Sequence, residues 1–205
     1  MLSTSFLELA FALRFVEGWG WCGAAATEVG LVATTIAYGS EADCLRQLET
    51  DSTAGRTRAR GAVRLRERRE VYEAANRAEA RSAYQIAGNG LEQLWEYLTV
   101  GRARLNAPLD LRGGTPFQRQ VWDVLKGIEF GQTETYASVA RAVGNEGATR
   151  AVGTAIGANP VLVFIPCHRV VSARGLGGFS RGIAIKRRLL DHERAWPRLA
   201  LQAQT

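Results

Sequence analysis

The chain has 205 residues, 46% of them hydrophobic, which supplies a buried core and excludes disorder as the overall state. Its apolar runs fall far short of the ~20 residues that a membrane-spanning helix needs, and the N-terminal apolar stretch, interrupted by Glu8 and preceded by no Lys or Arg, lacks the build of a signal peptide. The net charge of +6 is unevenly shared: residues 1–100 carry 11 Arg against 13 Asp and Glu, a net −2, while residues 101–205 carry 15 Lys and Arg against 7 Asp and Glu, a net +8.

That gradient suits an anionic partner docking on the second half, with a solvated basic face as the bland alternative. In chain order, residues 11–38 alternate short apolar stretches with Gly18, Gly20, Gly23, Gly30 and Gly39, the pattern of strands joined by tight turns. Residues 30–38, rich in β-branched side chains, form the clearest strand. Ser40 caps a short helix over 41–48, where Cys44, Leu45 and Leu48 fall at helical spacing. Seven arginines follow between Arg56 and Arg69; such a run binds phosphate in some settings but more often forms a solvated face or loop. Residues 90–100 set Leu91, Leu94, Trp95 and Leu98 on one side of an amphipathic helix. The stretch 102–114, with Pro108 and two glycines, reads as a linker, and a domain boundary is placed between 104 and 105.

The second half is more regular. Thr115-Pro116 starts a helix, a hydroxyl cap followed by proline at the first position, and Phe117, Val121, Leu125 and Ile128 line its inner face until Gly131. Tyr136, Val139, Ala140 and Val143 form a second short stripe ended by Gly144. A third helix is expected from about Ala148 to Gly157, stopped by Asn159-Pro160. Two short helices around a tight turn make a helix-turn-helix candidate, and the Ala/Gly-rich ATRAVGTAIGAN segment suits close approach to a neighbouring helix or to a nucleic-acid groove.

Residues 161–165 read as a buried strand delivering Pro166-Cys167-His168-Arg169. The thiolate is the nucleophilic form of cysteine; a histidine can take the thiol proton and arginines favour the anion. Neighbours on an extended chain point to opposite faces, so a turn or a bridging water must carry that proton. A buried structural cysteine beside a surface histidine remains the alternative for the pair in isolation. Cys22, Cys44 and Cys167 are odd in number and widely spaced, which excludes a disulfide framework and fits a reducing, cytoplasmic compartment. With two histidines in the chain and no Cys-x-x-Cys, no metal and no cofactor are expected.

PCHRV, preceded by Asn159-Pro160 and followed by GLGGFSRGIAIKRRLLDHE, resembles the active-site region of the 6-O-alkylguanine-DNA alkyltransferases, the methylated-DNA–protein-cysteine methyltransferases. The resemblance runs roughly from Leu105 to Arg194 and includes TPFQRQVW, GQTETYASVA and ATRAVG. It implies an α/β protein with an N-terminal ribonuclease-H-like domain over 1–104 and a C-terminal winged helix-turn-helix-like alkyltransferase domain over 105–205. It also implies a stoichiometric methyltransferase of DNA repair, a monomer that works on double-stranded DNA through the minor groove, without a membrane, in the cytoplasm or nucleoid. The implied catalytic set is Cys167 as alkyl acceptor, His168 as its base through a water, Glu193 orienting His168, Asn159 shaping the turn beneath the cysteine, and Tyr136 assisting base rotation and proton delivery. Arg150 matches the arginine that fills the vacated base stack, and the resemblance implies Gln118, Ala137, Asn145, Ala151 and Ala173 as further DNA-binding residues. Val170, Gly178, Phe179 and Ser180 lie on the segments of the alkylguanine pocket.

The chain also departs from the pattern. Some family members hold zinc in the N-terminal domain, but residues 1–100 contain only Cys22 and Cys44 and no histidine. Phe179 stands where many members have tyrosine, and Arg181 and the arginine run are further departures. A non-catalytic lesion reader would lack Cys167, a transcriptional regulator would show an added sensor domain, and a cysteine hydrolase would turn over on acyl substrates.

Overall fold

The β-branched and small residues of the N-terminal third form three strands: β1 (Leu9–Val16), β2 (Gly20–Ala26) and β3 (Leu31–Tyr38). The structure is a computed structural model and describes residues 9–53, 62–63, 78–101 and 105–194, with 62–63 and 78–80 described in the backbone alone. Most of the arginine run therefore lies outside the described residues. β1 and β2 pair antiparallel, as do β2 and β3, and the short β4 (Ala62–Val63) joins β1 in parallel, giving the sheet order β3-β2-β1-β4. Gly18 and Gly20 adopt φ of 75° and 90° in the first hairpin turn, conformations that favour glycine.

The small residues of β2 let a helix come close. A Cβ on Gly23 would stand 2.5 Å from Leu48 Cδ1 and 3.3 Å from Cys44 Sγ, both on α1 (Glu41–Thr53). Ser40 caps α1 by accepting the Asp43 N–H at 3.1 Å. Leu9, Phe11, Ala25, Val32, Ala33 and Leu48 make one core cluster. Cys44 belongs to this packing; burial pushes its thiol up to about 11, so it is an inert core thiol.

α2 (Ala78–Val100) is much longer than the helix expected over 90–100. Its first half carries a stripe of alanines, with Ala83 and Ala87 buried, and Gly90 sits inside it because a Cβ there would lie 2.7 Å from Leu31 Cδ2. The described part of the stretch expected as a linker, 105–114, bridges to the start of β3: Leu31 N–H donates to Pro108 O and Asp110 N–H to Leu31 O, both at 2.8 Å. Asp110 is buried and accepts from Thr27 Oγ1 and from Arg112 Nε, each at 2.8 Å. Chain contacts divide the molecule into two compact units, Met1–Gly113 and Gly114–Thr205.

The second unit is mainly helical: α3 (Pro116–Lys126), α4 (Tyr136–Ala142), α5 (Thr149–Gly157) and α6 (Ile183–His192). Thr115 and Gln118 form a reciprocal capping box at the start of α3, and Thr135 and Ser138 another at α4. α3 ends at Lys126 with Gly127 as its cap, short of the Gly131 stop expected from sequence. Gly144, at φ 77°, turns the chain after α4, and a single 3-10 turn (Glu146–Ala148) leads into α5. The Trp122 indole on α3 donates to Ala155 O on α5 at 2.9 Å, buried among Val121, Leu125, Val152 and Ile156. β5 (Glu134–Thr135) pairs in parallel with β6 (Val170–Val171). Among the described residues no helix is long and apolar enough to cross a membrane.

Candidate active site

Residues 161–165 are buried as their composition demands, but they do not form the expected strand. They make a tight loop in which Ile165 N–H donates to Val161 O at 3.0 Å, with Val163 at φ 74°, a strained value for a β-branched residue. The side chain of Asn159 holds this loop in place of a neighbouring strand. Its Oδ1 accepts Val161 N–H at 3.0 Å, and its Nδ2 donates to Ile165 O at 2.8 Å and to Cys167 Sγ at 3.0 Å. One amide thereby satisfies the buried backbone and points an N–H at the sulfur.

Cys167, His168 and Arg169 form a 3-10 turn, all three buried. Burial pushes the Cys167 thiol up, opposed by the Asn159 hydrogen bond and by the charges of Lys186 and Arg181. His168 Nε2 lies 2.8 Å from Glu193 Oε1. Glu193 is the C-cap of α6 and accepts hydrogen bonds on both carboxylate oxygens. Oε1 takes His168 Nε2 and Arg169 Nη2; Oε2 takes Arg169 Nε at 2.9 Å and Gly131 N–H at 3.2 Å. Burial alone would raise this carboxyl, but the bonds and charges of His168 and Arg169 reverse that and hold it far below the usual carboxylate range. An ionised Glu193 fixes His168 as the Nε2–H tautomer, leaving Nδ1 as the basic nitrogen. Burial also keeps the imidazole below its ordinary pKa, against the pull of Glu193.

Lys186, which the sequence reading passes over, is fully buried on α6. Its ammonium donates to Val170 O at 2.5 Å and to Gly178 O at 3.1 Å, and it lies 6.0 Å from the centre of the Tyr136 ring. Burial brings its pKa down to about 8, with the Cys167 charge acting the other way. Lys186 thus ties β6 to the loop of Gly178, Phe179 and Ser180. The signal was present in the sequence: Lys186 falls in helical phase with the buried Leu189 and Leu190, where a lysine needs a buried partner.

Tyr136 opens α4, half-buried, and donates from Oη to Gly178 O at 3.3 Å. Burial raises its phenol. Gly177, also absent from the expected set, has φ 69°, and a Cβ there would lie 2.8 Å from the Tyr136 ring. Cys167, His168, Asn159, Val170 and Glu193 are buried, Phe179 is half-buried, and Gly178 and Ser180 are exposed. Of the expected DNA-binding residues, Ala137 on α4, Asn145 in the turn, Arg150 and Ala151 on α5, and Ala173 in the loop after β6 are all exposed. Gln118 is half-buried and spends its amide oxygen on Thr115 N–H at 2.8 Å. A buried thiol held by an N–H, beside a histidine locked on an ionised carboxylate, is equipped to lose a proton and attack an electrophilic carbon.

The family model for the DNA-binding domain of 6-O-methylguanine DNA methyltransferase matches residues 116–195. This is the helical unit that carries the thiol, so fold and site place that unit in the class of DNA-binding domains found in those proteins. The chain is 40% identical over 126 residues to a methylated-DNA–protein-cysteine methyltransferase of Mycolicibacterium paratuberculosis, covering 61% of this chain and 75% of that protein. It is 49% identical over 89 residues to a probable methylated-DNA–protein-cysteine methyltransferase of Acanthamoeba polyphaga mimivirus, covering 43% of this chain and 59% of the viral protein. The matched stretch thus spans less than two thirds of the viral relative's length. A crystal structure of Mycobacterium tuberculosis OGT in complex with DNA is similar over 95% of this chain and 98% of that one, at 27% identity and a TM-score of 0.61. The chain belongs to the methylated-DNA–protein-cysteine methyltransferase family.

Proposed function

We propose that this protein repairs alkylated DNA by direct reversal, moving the alkyl group of an O-6-alkylguanine irreversibly to Cys167. The thiol proton passes through a water to Nδ1 of His168. The thiolate attacks the alkyl carbon, a C–S bond forms, and the C–O6 bond breaks with its electron pair on the guanine. The guanine takes up one proton, delivered with the help of Tyr136, which balances the proton lost by Cys167. A thioether is not readily hydrolysed, so each molecule reacts once.

A base inside a duplex is out of reach of a buried thiol, so the damaged nucleotide must leave the stack, at a cost of a few kcal/mol. Arg150, exposed on α5, is the side chain that fills the gap; its flat cation both stacks and meets phosphate. In this reading α4, the turn at 143–148 and α5 act as a helix-turn-helix entering the minor groove. Val170, Gly178, Phe179 and Ser180 line the alkylguanine pocket, and the first unit is ribonuclease-H-like. The protein works as a monomer in the cytoplasm, and O-4-methylthymine is a second substrate of the same chemistry.

The observation that carries the reading is the buried Cys167 thiol, 3.0 Å from the Asn159 amide, next to the His168–Glu193 pair at 2.8 Å. Intact mass after incubation with a duplex holding one O-6-methylguanine tests it. We expect one added methyl group, about 14 Da by atomic arithmetic, mapped to Cys167. Cys167→Ser should bind the same duplex without gaining mass, and methyl on Cys22 or Cys44, or turnover beyond one equivalent, would remove the assignment.

A further inference from the structure

The His168–Glu193 pair is not isolated, because the same carboxylate is gripped by Arg169. Only 7% of the Arg169 side chain is exposed. Its Nε and Nη2 hold the two oxygens of Glu193 at 2.9 and 2.8 Å, and its Nη1 donates to Ile128 O at 2.6 Å. The guanidinium carbon lies 5.8 Å from the centre of the Phe130 ring. Three segments of the second unit therefore meet on one side chain: the turn after α3, the nucleophile turn and the end of α6.

We infer that Arg169 is a positioning residue for methyl transfer: by holding Glu193 in a two-pronged grip and offsetting its charge, it keeps His168 uncharged at rest and free to take the Cys167 proton. The physical need is specific. A buried carboxylate 2.8 Å from an imidazole, with no counter-charge, would draw a proton onto the ring and hold it there as an ion pair. A base already protonated cannot deprotonate the thiol. Arg169 removes that stabilisation in two ways. Its fork, with Gly131 N–H, engages both oxygens of Glu193, so carboxylate charge that would otherwise stabilise a protonated ring is shared with the guanidinium. Its positive charge opposes a second positive charge beside it.

Burial is the largest influence against a charged His168; among the charged groups Glu193 favours the imidazolium, and Arg169, followed by Lys186, opposes it. Lysine at position 169 would keep the charge but lose the planar fork. Glutamine would lose both.

This inference rests on the proposed transfer to Cys167. The test is the pH dependence of single-turnover methyl transfer, at saturating duplex, for wild type, Arg169→Gln and Arg169→Lys. In Arg169→Gln the acid limb of the profile should move up by about one pH unit or more. The variant is then at least tenfold slower on the acid side and recovers as the pH rises. Arg169→Lys should keep its limb near that of wild type on a lower plateau. A uniform loss at every pH in Arg169→Gln would reduce the arginine to a fold support and overturn the inference, as would a limb in Arg169→Lys displaced as far as in Arg169→Gln.

Removing one partner of a buried ion pair is strongly destabilising. Nitrogen NMR of His168 in the wild-type protein therefore provides a second measurement that needs no variant. A neutral Nε2–H ring at pH 6 supports the inference, and a ring protonated at pH 7 overturns it. If the wild type gains no methyl group at Cys167, the proposed function fails while the NMR result still decides the resting state of His168.

Discussion

A single glycine sets how closely the loop after β6 packs on Tyr136. Gly177 sits at φ 69° with its Cα facing the tyrosine ring, and an L side chain in the left-handed region costs roughly 1–2 kcal/mol before any contact is counted. A methyl group there must also push the ring, at 2.8 Å, or its hydroxyl, at 3.1 Å. Gly177→Ala should therefore lower the melting temperature by a few degrees and slow methyl transfer by more than the stability loss explains, because Tyr136 leaves its bond to Gly178 O. Gly39→Ala, at a position with nothing within 4 Å of a new Cβ, is the control expected to transfer at the wild-type rate. A Gly177→Ala protein as fast as wild type would show that the pocket accommodates a displaced Tyr136. Such positions are hard to read in a sequence. Glycine announces a turn, but the ring pressed against it comes from a helix some forty residues away.

At the scale of elements, legibility followed the kind of signal. Thr115-Pro116 and the stripe of Val121 and Leu125 specified α3, and the glycine after α4 located the turn before α5, because caps, glycines and apolar stripes are local. The run 161–165 misled because β-branched hydrophobicity reports burial, whereas the loop is made by hydrogen bonds from the Asn159 side chain. Half of α2 escaped because alanines make a faint stripe and Gly90 interrupts it; the glycine is explained by Leu31, far away in sequence. The PCHRV motif and its flanks single out Cys167, His168, Asn159 and Glu193, which meet in the folded unit, but no local pattern signals that Glu193 is shared with Arg169.

The exposed faces of α4 and α5 carry their own prediction. If Arg150 fills the base stack, Arg150→Ala should slow transfer from duplex DNA strongly but transfer from free 6-O-benzylguanine little, since a free base loses no stacking. The comparison belongs at saturating DNA, where lost affinity drops out of the rate. His168→Ala should impair both substrates alike. Equal losses on both substrates for Arg150→Ala would assign it to pocket structure instead.

Over the whole molecule, charge is segregated: the net −2 of residues 1–100 and the net +8 of residues 101–205 place the attraction for a polyanion on the half that holds Cys167. Arg141, Arg150, Arg174, Arg187 and Arg188 of the second unit are all exposed, and cations in water release the counterions of any phosphate they meet. Each phosphate neutralised contributes about −0.9 to the slope of log affinity against log salt. Three to five such contacts would give a slope of about −2.7 to −4.5. Undamaged and O-6-methylguanine duplexes should share nearly the same slope, because phosphate contacts carry no lesion information; the methylated duplex should differ by a constant offset. If exposed Arg188 meets a phosphate, Arg188→Ala should make the slope shallower by about one unit for both duplexes, with the methyl still mapping to Cys167 in the reactive protein. Fluorescence anisotropy across a salt series, with Cys167→Ser to prevent reaction during the titration, measures all three quantities. A flat titration would mean that the basic half is a solvated face and that binding comes from the pocket alone.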